Sequence, residues 1–197
     1  MTRVHLFMDY QNVHLSAASC FEADETPRHL SLIHPALYGD RLMQKRAEAG
    51  RSGTLERISV YRGRPGMQKQ PAAAARNNAQ EAEWHKDRRV VVSARPLKYP
   101  SNWPAAPQQE KGIDVALAID FVRCAIQQKA DVLILASRDT DIVPALEMAV
   151  DLGRTDVEVV TWLGKSRLRL PGHVKYSMPY TVLDRGDYVA SRDPKTY

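Results

Sequence analysis

Apolar residues along the chain gather into short dense runs at 4–8, 55–61, 90–94, 132–136 and 157–162, each bounded by polar or turn-forming residues. Val, Ile and Leu dominate these runs without strict alternation, the pattern of strands in a parallel sheet covered by helices on both faces. The segments between them carry a helical period instead. Over 114–128, Val115, Leu117, Ala118, Phe121, Val122, Ala125 and Ile126 recur every three to four residues and predict a packed amphipathic helix. Further helices are predicted at 12–18, 35–49, 72–86 and 142–152. Pro27 interrupts any single long helix between the first two, and Gly153 stands where a helix C-terminus favours glycine. Strand and helix therefore alternate, which predicts an α/β fold: a three-layer α/β/α sandwich with a mainly parallel central sheet.

Two stretches depart from this alternation. Arg62-Gly63-Arg64-Pro65-Gly66 is expected as a basic, turn-rich loop after the second strand. Residues 95–109 hold Pro96, Pro100, Pro104 and Pro107 together with Tyr99 and Trp103 and predict a long irregular connection, a kind of loop that is often functional. Residues 1–163 are expected to form the main domain. Residues 164–197 are expected as a basic C-terminal extension packing on or trailing from it, with a short strand at 180–183 and a loosely ordered polar end.

Composition narrows the class. With 44% hydrophobic and 26% charged residues over 197 positions, the chain has the makeup of a folded globular protein rather than a disordered one. It has no apolar run of about eighteen residues and no signal-peptide zones at its start, so a cytoplasmic location without membrane contact is expected. Cys20 and Cys124 lie far apart without zinc-site spacing and are expected as reduced thiols. The formal net charge is +5, and the surplus sits in loops, at Arg62, Arg64 and Lys69, at Lys86, Arg88 and Arg89, and at Lys165, Arg167, Arg169 and Lys175. Such a surface suits a polyanion, although a solvated basic surface accounts for the charge as well.

The candidate chemistry lies in four aspartates. Asp9 ends the 4–8 run and is followed by Asn12, Asp139 and Asp141 follow the 132–136 run, and Asp114 opens the 114–128 helix. Acids just beyond buried strands lie at the carboxyl edge of a parallel sheet, where open α/β folds bind ligands. Carboxylates brought close repel by about 4 kcal/mol per pair at an effective dielectric of about 20. A hard divalent cation, Mg²⁺ or Mn²⁺, offsets that repulsion and activates water for phosphodiester hydrolysis. On this reading Asp9, Asp114 and Asp139 ligate the metal, Asp141 is a second-tier ligand, and Asn12 orients the phosphate, a water or Asp9. Asp120 is turned about a third of a revolution away from Asp114. Capping accounts individually for Asp114, Asp139, Asp141 and Asn12, whereas Asp9 is assigned no capping role. Spacing alone leaves phosphatase and receiver-like acidic pockets open.

Three blocks carry a resemblance. Phe7-Met8-Asp9-Tyr10-Gln11-Asn12, the stretch from Glu110-Lys111-Gly112-Ile113-Asp114 to Asp120, and Ser137-Arg138-Asp139-Thr140-Asp141 resemble, in order and separation, the signature blocks of NYN domains, a branch of the PIN-like nuclease superfamily. The resemblance spans roughly residues 3–163. It implies a PIN-like sandwich with an acidic Mg²⁺ or Mn²⁺ pocket, an endoribonuclease activity on single-stranded or structured RNA, and self-association as a homodimer. By the same match Asp9, Asp114 and Asp139 are metal ligands supported by Asp141 and Asn12. The family often has Gly where Arg138 stands and an aromatic residue where Ile142 stands. Arg62, Arg64, Lys111 and Arg138 are candidate RNA contacts, and Tyr10, Tyr99 and Trp103 are candidates for stacking on unpaired bases. His5 and His173 are expected in core or surface roles. Two alternatives stay open: an RNA-binding or regulatory module with a retained acidic pocket and little turnover, and a toxin-like nuclease held by an inhibitory partner protein. DNA also remains an alternative substrate.

Overall fold

Each apolar run becomes a strand. A computed structural model describes residues 1–23, 25–27 and 31–197 and contains β1 (Arg3–Asp9), β2 (Thr54–Arg64), β3 (Val90–Pro96), β4 (Val132–Ala136), β5 (Asp156–Trp162) and β6 (Tyr180–Leu183). The helices are α1 (Tyr10–Phe21), α2 (Pro35–Glu48), α3 (Pro71–Trp84), α4 (Ile113–Ile126), α5 (Val143–Leu152) and α6 (Arg185–Ser191), with a 3₁₀ turn at Thr140–Ile142. All the strand pairings are parallel, in the order β3-β2-β1-β4-β5-β6. The expected α/β sandwich is the observed one. The chain winds outward from β1 in both directions, so a crevice opens between the carboxyl ends of β1 and β4, the place where such sheets bind ligands.

The two faces of the sheet bury separate cores, which is why the strands lack polar alternation. Val4, Leu6 and Met8 of β1 pack with Val13 and Ala17 of α1, Tyr38 and Leu42 of α2, Trp84 at the end of α3, and Tyr188 of α6. Phe7, Leu133, Leu135, Val157 and Val159 face the other way, toward Leu117 and Phe121 of α4 and Leu146 of α5. Among the polar groups taken inside, Arg46 of α2 is 1% exposed and donates to both carboxylate oxygens of Glu158 on β5, at 2.9 and 2.8 Å. Arg51 adds a third contact to Glu158 at 2.6 Å.

Two expectations are corrected. The Arg62-Gly63-Arg64 segment is strand, not loop: Arg62, Gly63 and Arg64 pair with Ala94, Arg95 and Pro96. Pairing with β3 overrides the turn signal. A Cβ at 63 would force the side chains of Leu97 and Glu110 to shift. The end of the chain is not loosely ordered either. β6 extends the sheet, and α6 opens with a capping box in which Asp184 and Asp187 each accept from the other's backbone N–H. Asp187 is fully buried and pairs with Arg41 and Lys45 of α2, while Asp193 accepts from the Trp84 indole at 2.9 Å. The proline-rich connection is irregular and is held by a local frame, with Lys98 and Gln109 in an antiparallel bridge and the Tyr99 hydroxyl accepting from the Gly66 N–H at 2.8 Å. Both cysteines are free. No helix among the described residues is long and apolar enough to cross a membrane.

Candidate active site

Asp9 is the last residue of β1 and is only 5% exposed. Its Oδ1 accepts from the Asn12 backbone N–H at 3.1 Å and its Oδ2 from the Ser137 hydroxyl at 2.9 Å. It is therefore the N-cap of α1, contrary to the expectation that it has no capping role. The helix begins at Tyr10, directly after the strand, so its first-turn donors point back at the strand end. Burial pushes the Asp9 carboxyl up to about 6, with Asp114 and Glu110 adding to the shift and its two hydrogen bonds opposing it.

The β4 end of the crevice is tied to the same point. Ser137 also accepts from the Asp139 N–H at 3.1 Å, and Asp139 caps the 3₁₀ turn by accepting from the Asp141 N–H at 2.9 Å. Asn12 accepts from the Arg138 N–H at 3.2 Å, which links α1 to the loop after β4. Asp114 is the second residue of α4 and half-buried. It does not cap the helix: Gly112, at φ +72°, occupies that position. The Asp114 carboxyl is raised by burial and then by Asp139 and Asp141. Asp120 faces elsewhere, accepting from the Tyr61 hydroxyl and from Arg123.

Glu110 is a member of this group that the sequence reading passed over. It accepts from the Gly63 N–H at 2.7 Å, its carboxyl is raised by burial and by Asp114, and it helps raise Asp9. The available signal was its place at the head of the Glu110-Lys111-Gly112 block. Asp9, Glu110, Asp114, Asp139 and Asp141 thus share one edge, and among the described residues none of them forms an ion pair with a cation. Their all-oxygen donor chemistry fits a hard divalent cation. As placed, no three acidic, histidine or cysteine side chains among the described residues are grouped closely enough to hold one ion.

The basic candidates are distributed around it. The Arg62 guanidinium is held between the Tyr10 and Trp84 rings, at 4.9 and 5.0 Å, and donates to Gln80 at 3.0 Å. Arg64 is paired with Glu81. Lys111 is exposed beside Asp114. Arg138 donates to the Ser166 carbonyl at 3.1 Å and to the Ser16 hydroxyl at 3.3 Å, an anchor for the loop that follows β5. Tyr10 is withdrawn from any stacking role: it is 4% exposed and its hydroxyl donates to the Ile33 carbonyl. Tyr99 and Trp103 pack edge to face on each other. His5 is a core residue, as expected, bonded to Ser59 and driven down to about 3 by burial, and His173 is at the surface near Glu147.

A doubly wound parallel sheet with acids that lack a cationic partner along the carboxyl edge of its switch point defines an open α/β domain. The family model of the NYN domain matches residues 3–169, and the chain belongs to that family, whose members are PIN-like and generally nucleases. No curated protein matches the chain. The crystal structure of a protein of unknown function from Vibrio parahaemolyticus RIMD 2210633 is similar, with a TM-score of 0.58 and 13% identity over 93% of each chain. That likeness supports the fold alone.

Proposed function

We propose that the protein is a metal-dependent ribonuclease that hydrolyses internal RNA phosphodiester bonds at the β1/β4 edge. The observation that carries the reading is the group of five acids without a cationic partner, one of them buried. Asp9, Asp114 and Asp139 would hold Mg²⁺ or Mn²⁺, with Asp141 and Glu110 beside them. Such a cation, when bound, neutralises the clustered charge, lowers the pKa of a coordinated water and stabilises charge on phosphate oxygens. Asn12 and Ser137 fix the Asp9 carboxylate and the β4 loop relative to each other, so the acidic edge is oriented before substrate arrives. Lys111 is placed to meet the RNA backbone. Arg138 acts mainly by anchoring its loop.

The test uses internally labelled single-stranded RNA with purified protein in Mg²⁺, Mn²⁺ or chelator, and the double variant Asp9→Asn with Asp114→Asn. Asn retains the capping function at position 9. Metal-dependent cleavage is expected to fall by at least about 100-fold, the upper scale for losing even an outer partner of a metal ligand. Equal background from both proteins, with RNA still bound, would instead establish an RNA-binding module of little turnover. The anchoring of Arg138 and the ungathered carboxylates are what favour that second reading.

A further inference from the structure

A cavity of about 270 Å³ adjoins the acidic edge and shares Glu110 with it. It lies between the first turns of α1, the end of β2 and helix α3, and its lining is polar in a particular way. Asn77 of α3 is 4% exposed and lines the cavity. Its Nδ2 donates to the Gly63 carbonyl at 3.3 Å, while its Oδ1 is buried without a partner. Arg62 lines the same cavity, with Nη1 engaged by Gln80 and Nε buried without a partner. A buried acceptor and a buried donor left unmade each carry a desolvation cost, and here both belong to side chains of one cavity wall. Tyr197 supplies an aromatic wall, and Arg76 is exposed at the rim with no ion pair among the described residues.

We propose that this cavity receives one nucleobase of the bound RNA strand, beside the bond to be cut, and gives the enzyme a base preference. The inference rests on the ribonuclease reading for its substrate class. Both atoms are closed off from solvent, so the base edge meets Asn77 Oδ1 with an N–H and Arg62 Nε with an acceptor only after these two side chains rotate toward the cavity, and Arg76 faces the phosphate of the same nucleotide. A phosphate alone does not suit the wall, because a phosphate dianion has no N–H to offer Asn77. Unpaired bases splayed from a strand are the usual targets of sequence-specific RNA recognition. A volume just under the ordinary range for ligand pockets, about 300–1,000 Å³, suits a single base rather than a whole nucleotide.

The test is binding in chelator, so that cleavage plays no part. Fluorescence anisotropy with labelled hexamers of A, C, G and U RNA is compared for the wild type, Asn77→Ala and Ala73→Leu. The second variant fills the cavity from α3 without removing a hydrogen bond, and so separates loss of recognition from loss of folding. The wild type is expected to prefer one hexamer over the weakest by at least about fivefold, the low end for a paired base-edge contact. Both variants are expected to compress that spread to within about twofold while keeping affinity for the weakest hexamer. Equal binding of all four by the wild type, a spread unchanged in both variants, or a uniform loss for all four would overturn the base pocket and leave a water-filled cavity. The two readings fail separately. A base preference lost in the variants without metal-dependent cutting sinks catalysis and keeps the pocket, whereas cutting of all four sequences alike does the reverse.

Discussion

At the amino end of β4, Asp131 accepts from the Arg3 backbone N–H and from its guanidinium, both at 2.8 Å, and this pairing holds its carboxyl below the usual range. At the carboxyl end of the neighbouring β1, Asp9 has only neutral donors and is held above that range. The contrast extends to the interior. Among the described residues three acids are buried, and Glu158 and Asp187 both pair with arginine while Asp9 pairs with none. The chain has cations in excess, 28 Lys and Arg against 23 Asp and Glu, so a shortage of partners does not explain the difference. The buried acids Glu158 and Asp187 are neutralised within the chain, whereas the acids of the β1/β4 edge have no ion-pair partner among the described residues.

Breaking the structural set has the largest expected effect. Glu158→Ala leaves the buried Arg46 guanidinium uncompensated and is expected to cost about 3–5 kcal/mol, read as a lower urea midpoint, with Arg51 retaining its contacts to Thr181 and the Tyr180 carbonyl. An unchanged midpoint would mean that the α2 arginine is solvated rather than held by β5.

Asp9→Asn probes the other set and is expected to act in the opposite direction. A folded pKa of about 6 against an ordinary 3.8 means that the native state binds the proton more tightly than the unfolded chain. The associated stability is present at low pH and lost as pH rises from about 4 through about 6. At about two units and about 1.4 kcal/mol per unit, Asp9→Asn in chelator is expected to gain up to about 3 kcal/mol at pH 7 and nothing near pH 4. Denaturant curves at both pH values check this, and a loss of stability at pH 7 would show that the carboxylate is structural after all.

The smallest effect sharpens the comparison. Asp131 is exposed and paired, so its contribution is present above its ordinary pKa and lost as pH falls through the lowered folded value. Asp131→Asn is therefore expected to be slightly less stable than the wild type at pH 7, with the deficit disappearing in acid. If Asp9→Asn and Asp131→Asn shift the midpoint in the same direction at pH 7, the electrostatic distinction between the two ends of the sheet is wrong.

The site was partly legible in the sequence. Asp9, Asp114, Asp139 and Asp141 stand out because each follows a buried run or opens an amphipathic helix, and the NYN blocks mark the same positions. Glu110 was hidden although it heads one of those blocks, because it sits in irregular chain and reaches the edge only through the Gly63 N–H, 47 residues away. Ser137 stands inside one of the blocks, yet its link to Asp9 spans 128 residues. Arg64 carried the same charge signal as Lys111, but the fold gives it to Glu81.

The sequence by itself determined the elements and their class, since apolar runs without alternation require a sheet covered on both faces, and it determined which residue types stand at the strand ends. Tertiary structure alone decided that β2 continues through Arg64, that the last residues complete the sheet and the α2 face, and which acids receive a cation. Those outcomes depend on strand order and on contacts between residues distant in the chain, from Arg64 paired with Pro96 to Arg46 with Glu158 at a separation of 112. Local propensity has no reach over such distances, and only the packed sheet brings the partners together or keeps them apart.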